Sequence, residues 1–151
     1  MPLTINIIDG SNYFKGLLLL IRKDRQVTES EMALMRRIGK SLGFEREFCD
    51  QAIRDILDNE YIEDTPPRFS SKELAQKFVK DGLAIACSDQ VCHPSEETWL
   101  RTVCILNGLD EQWFRTMKAQ MLVQQHEHLA PLIEAEDIVV QYTAAPGNAS
   151  A

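Results

Sequence analysis

Apolar residues return every three or four positions through most of the chain, a spacing that lines up one face of an α-helix. Leu34, Met35, Ile38 and Leu42 form one such stripe, and Phe48, Ala52, Ile53, Ile56 and Leu57 form the next, over about Glu45 to Asn59. Thr28 and Glu31 compose a T-x-x-E capping box ahead of the first stripe, and Gly43 closes it. Upstream, Ser11 can cap a helix that reaches about Lys23 and carries Tyr13, Phe14 and the apolar run Leu17 to Ile21.

The loop EYIEDTPPRF interrupts the pattern, because its paired prolines disfavour helix before them. Ser70 or Ser71 then caps a fourth helix with Leu74, Phe78, Gly82, Ile85 and Ala86 on one stripe. Pro94 suits the first turn of a fifth, which ends at Asn107-Gly108. Asp110 opens a sixth, with Trp113, Phe114, Met117, Met121 and His128 aligned, and Pro131 stops it. Leu3 to Ile8 and Ile138 to Tyr142 are rich in β-branched residues and read as short β pieces able to pair with each other or with another subunit. The pattern predicts an all-α protein, a compact bundle of about six helices, with short β pieces at the termini.

The chain also resembles itself. At an offset of 96 − 31 = 65, LLLIRKDRQVTESEMALMRRIGKSLGFEREF aligns without a gap on LAIACSDQVCHPSEETWLRTVCILNGLDEQW. Asp24 falls on Asp89, Glu31 on Glu96, Arg36 on Arg101 and Gly43 on Gly108, while Ile38 meets Val103 and Phe48 meets Trp113. The matched residues sit where helices stop and start, which is where a repeated supersecondary unit keeps its punctuation. The expected organisation is a single domain over residues 1–143, with repeat units about 17–58 and 82–129 related by a pseudo-twofold, and a flexible tail over 144–151.

Charge narrows the function. Sixteen basic and 23 acidic residues leave a net charge of −7, which repels nucleic-acid backbones and anionic lipid and favours cations or basic partners. No basic segment followed by an apolar one opens the chain, and no apolar run is long enough to span a bilayer. The expected location is the cytoplasm, where Cys49, Cys87, Cys92 and Cys104 would stay reduced. Cys49 and Cys104 sit among apolar neighbours as core residues do, and Cys92 takes the place of Val27 in the repeat, as an apolar plug.

The corners DRQVTESE (Asp24 to Glu31) and DQVCHPSE (Asp89 to Glu96), with the turns GFEREF and GLDEQW, resemble those of the TerB-like family, which includes tellurite-resistance proteins and the N-terminal module of some DnaJ-type co-chaperones. The resemblance covers roughly Phe14 to Met117; Arg25 and Gln90 stand where the family has a glycine. It implies an all-helical, non-enzymatic module with a role in stress response or as a protein scaffold, an unidentified protein partner, and an acidic surface for a divalent cation such as calcium or zinc. A hard cation needs several oxygen ligands from different elements, and the two corners offer Asp24 and Glu31 with Asp89 and Glu96 if they face each other. A homodimer is compatible with this reading.

Other chemistries are weaker. Glu31 and Glu96 also read as helix-start residues that satisfy free backbone donors. An EF-hand is excluded, since the twelfth positions from Asp24 and Asp89 are Met35 and Leu100. Cys87, Cys92 and His93 lack a fourth zinc ligand at an accepted spacing, and His126 and His128 point to different sides of a helix. The alternative function is a metal-dependent nuclease or hydrolase, because INIIDGSN resembles the opening strand of PIN- or NYN-type nucleases, with Asp9 as magnesium ligand. The strand and helix alternation that such folds need is missing after Tyr13. The cluster Arg22-Lys23 with Arg36-Arg37 reads as solvated helix surface.

Overall fold

A computed structural model describes residues 2–24, 27–59, 61–88, 92–126 and 132–141. In chain order they form β1 (Leu3–Asn6), α1 (Ile7–Ile21), a 3₁₀ turn (Arg22–Asp24), α2 (Glu29–Ser41), α3 (Arg46–Asp58), α4 (Lys72–Ala86), α5 (Pro94–Leu106), α6 (Glu111–His126), a second 3₁₀ turn (Glu134–Asp137) and β2 (Ile138–Gln141). The predicted six-helix, all-α fold is the one observed. His128, Pro131, Tyr142 and the 144–151 tail lie outside the described residues.

The helix starts carry the 65-residue offset throughout: Ile7 and Lys72, Glu29 and Pro94, Arg46 and Glu111. The endings of α2 and α5 repeat bond for bond. Gly43 and Gly108 have φ of 91° and 72°, the left-handed region that a residue with a Cβ enters at a cost. Around each, a Schellman motif closes the helix. Phe44 N donates to Gly39 O and Leu109 N to Cys104 O, while Gly43 N donates to Lys40 O and Gly108 N to Ile105 O.

α1 begins earlier than Ser11. Asn6 is its N-cap, and the Asn6 side-chain oxygen accepts from Asp9 N at 2.8 Å. The cap overrides the β preference of Ile7 and Ile8, which end as exposed residues of the first turn. Residues Leu17 to Ile21 are all buried because α1 packs against α2, α3, α4 and α5; a helix apolar on every side belongs in the middle of a bundle. The terminal β pieces do pair with each other: β1 and β2 run parallel, with Leu3 opposite Ile138 and Asn6 opposite Gln141.

Gly39 lets α2 settle on α3. A Cβ at that position would collide with the Cys49 sulfur and stand 3.2 Å from Phe14 Cε1. Phe48, expected on the buried face of α3, is instead 54% exposed, its ring stacked on Phe44 at 5.1 Å. The predicted basic cluster is consumed by carboxylates: Arg22 and Lys23 pair with Asp64, Arg36 with Asp50, and Arg37 with Glu136. Among the described residues, no helix is long and apolar enough to cross a membrane.

Candidate functional site

The two acidic corners are built alike but capped differently. Thr28 takes an extended conformation and its Oγ1 accepts from Glu31 N at 3.1 Å; in return Glu31 Oε1 accepts from Thr28 N at 2.9 Å. This is the predicted capping box, and it draws the Glu31 side chain back over the start of α2. At the second corner Pro94 fixes the first turn of α5 and His93 is the N-cap, without a side-chain cap hydrogen bond. Glu96 occupies the third position of α5, as Glu31 does in α2.

Both glutamates are buried, to 1% and 0% exposure. Carboxylates rarely reach that depth without compensation, and the positive end of the helix dipole supplies part of it. The 3₁₀ turn that carries Asp24 packs against α5, the helix that carries Glu96. Of the four predicted ligands, Glu31 and Glu96 have described side chains; Asp24 is described in its backbone, and Asp89 lies outside the described residues. Among the described residues, no group of three or more metal-ligating side chains comes together.

The cysteines depart from expectation. Cys87, the C-cap of α4, forms a disulfide with Cys92 across the corner before α5, where the two Cα atoms are 4.3 Å apart. Composition and cysteine spacing point to reduced thiols, but neither registers how closely the corner brings Cys87 and Cys92 together. Both sulfurs are therefore spent, which removes the Cys87–Cys92–His93 zinc alternative and makes the Cys92 plug a cross-link. Cys49 and Cys104 are buried and free, as predicted. Burial pushes the Cys104 thiol up to about 12 and raises that of Cys49, so neither is a ready thiolate.

Asp9 is occupied structurally. Its carboxylate accepts from Ser70 Oγ at 2.5 Å and from Ser70 N at 3.3 Å, tying the first turn of α1 to the residue before the α4 N-cap, Ser71. It is 5% exposed.

A buried carboxylate that the sequence did not single out accepts three hydrogen bonds. Asp81, fully buried in α4, accepts from the Tyr13 hydroxyl at 2.6 Å, from Glu134 N at 2.6 Å and from Ala135 N at 2.9 Å. It joins α4 to α1 and to the second 3₁₀ turn. Burial nevertheless pushes its carboxyl up to about 7, against the three hydrogen bonds that favour the ionised form. One signal was available: Asp81 follows Phe78 by three positions and precedes Ile85 by four, which puts a charged residue on a buried stripe.

A family model described as "Tellurite resistance protein TerB" matches residues 15–119, which takes in both corners, both Schellman turns and all four predicted ligands. Neither a curated protein nor a solved structure matches the chain.

Proposed function

The chain belongs to the TerB family, and on that premise we propose that it is a non-catalytic stress-response or scaffold module whose acidic corners hold a divalent cation. Asp24, Glu31, Asp89 and Glu96 are the proposed ligands. The observation that carries the reading is the pair Glu31 and Glu96, two buried carboxylates at the same position of repeated helices. The contact between the Asp24 turn and α5 supports a site shared between the corners. An oxygen-only ligand set favours calcium over zinc, since the sulfurs of Cys87 and Cys92 are already bonded to each other.

The non-catalytic part of the reading is supported by how the reactive groups are employed. Asp9 and Asp81 each hold helices together, and burial holds both free thiols in the protonated form. A nuclease or hydrolase built on Asp9 would first have to release that carboxylate from Ser70. Placement in the cytoplasm has to accommodate the Cys87–Cys92 disulfide, which a reducing compartment opens.

Thermal melts in calcium and in zinc test the cation. Calcium should raise the melting temperature in a saturable way, by an amount that corresponds to about 2.7 kcal/mol at one hundred times the dissociation constant. Glu96→Gln should abolish the rise while leaving the metal-free protein folded. A wild-type melt unmoved by millimolar metal would sink the cation reading.

A further inference from the structure

The repeated helices build two equivalent clefts. Lys15 and Leu18 of α1 line the first, of about 290 Å³, with Ala52, Asp55 and Ile56 of α3. Lys80 and Leu83 of α4 line the second, of about 220 Å³, with Met117, Gln120 and Met121 of α6. Residue by residue, the second set lies 65 positions after the first.

Two features set the first cleft apart. Phe48 stands half out of its wall, whereas the corresponding Trp113 is largely packed against the core. Two of its lining residues, Asp55 and Ile62, also line a neighbouring acidic hollow with Asp58, Asn59 and Tyr61. Asp55 and Asp58 lie in the last turn of α3, which has no basic residue, where free carbonyls already make the helix end negative. Gln120 and Val123 hold the corresponding positions of α6. Among the described residues, neither Asp55 nor Asp58 has an ion-pair partner; Asp55 accepts a hydrogen bond from Gln51. Carboxylates at a helix C-terminus work against folding, and a cationic group seated between them would reverse that effect.

An apolar floor beside an acidic hollow fits one kind of occupant. We propose that the α1–α3 cleft docks an amphipathic helical segment of a partner protein, with an apolar side chain against the exposed ring of Phe48, above the nearly buried Leu18 and Ile56, and a Lys or Arg over Asp55 and Asp58. The proposal supplies a partner for the scaffold half of the reading above and is independent of the cation, because it is read out on α3 and not at Glu31 or Glu96.

The test uses two synthetic helical peptides of about 16 residues: leucines at helical spacing with flanking lysines in one, the same leucines with glutamates in the other. Titrated into the full chain and followed by amide chemical shifts, the lysine peptide should perturb α1 and α3 and leave α6 unmoved. Phe48→Asp should weaken it at least tenfold. Asp55→Lys with Asp58→Lys, both on exposed surface, should reverse the preference in favour of the glutamate peptide. Failure of the lysine peptide to bind, equal binding of the two peptides, or shifts mapped to the α4–α6 cleft would overturn the proposal. Self-association of the chain that Phe48→Asp abolishes would assign the cleft to a second copy instead.

Discussion

The Tyr13 hydroxyl donates a 2.6 Å hydrogen bond to the Asp81 carboxylate, and both residues are fully buried where α1 meets α4. Because burial pushes the Asp81 carboxyl up to about 7, the folded protein holds this proton more tightly than the unfolded chain does. The contribution to stability is then complete below about pH 4, the ordinary carboxylate range, and is lost as pH rises to about 7. Urea midpoints measured across that window should fall with pH and level off above it. Asp81→Asn should flatten the fall, at a cost of about 1–3 kcal/mol for the donor left facing its amide. An unchanged slope would show that other groups set it.

Tyr13→Phe makes a separate prediction about the same pair. Removing the hydroxyl deletes a hydrogen bond that favours the ionised form, so the Asp81 carboxyl should move higher still. A carboxyl-carbon NMR titration of wild type and variant reads this directly, and a downward move would contradict the assignment.

Gly39→Ala should destabilise by about 1–3 kcal/mol, because the added methyl meets the Cys49 sulfur at the α2–α3 contact. Cys49→Ala in the same chain removes the colliding atom. The double variant should therefore recover part of the loss, and the coupling from the four-way comparison of melting free energies should be non-zero.

Thr28→Ala removes the side-chain half of the capping box at Glu31 and should cost about 1 kcal/mol. The effect belongs to α2 alone, so amide exchange should quicken in its first turn and not in α5.

Reduction of the Cys87–Cys92 disulfide should lower the denaturation free energy by on the order of 2 kcal/mol, a modest amount because the loop it closes is short. Two thiols, those of Cys49 and Cys104, should titrate after unfolding without reductant, and four with it. A double Cys87→Ser, Cys92→Ser variant should be indifferent to reductant.

The helices and their ends were legible because the signals are local. Thr28 with Glu31, Ser71 ahead of α4, Pro94 at the start of α5 and the glycines at 43 and 108 each act within a few residues of where they stand. The repeat reinforced them, since the same signals recur 65 residues on. What escaped was long-range. Asp81 finds Tyr13 68 positions away and the 134–135 backbone more than 50 away, and no local pattern encodes those partners. The exposure of Phe48 escaped for a related reason. A stripe of apolar residues says which side of α3 is apolar, but the neighbouring helices decide how much of that side they cover. The disulfide depended on the closeness of Cys87 and Cys92 across a corner, which spacing alone leaves open.

The parallel pairing of Leu3–Asn6 with Ile138–Gln141 has a mechanical consequence. Tension drawn outward through Leu3 and Gln141 runs along two adjacent strands in opposite senses, so the bonds between them are loaded together in shear and do not peel one after another. The strands thus act as a clasp that joins the segment before α1 to the segment after the second 3₁₀ turn, and a pulling force must break that clasp before it can reach the helices.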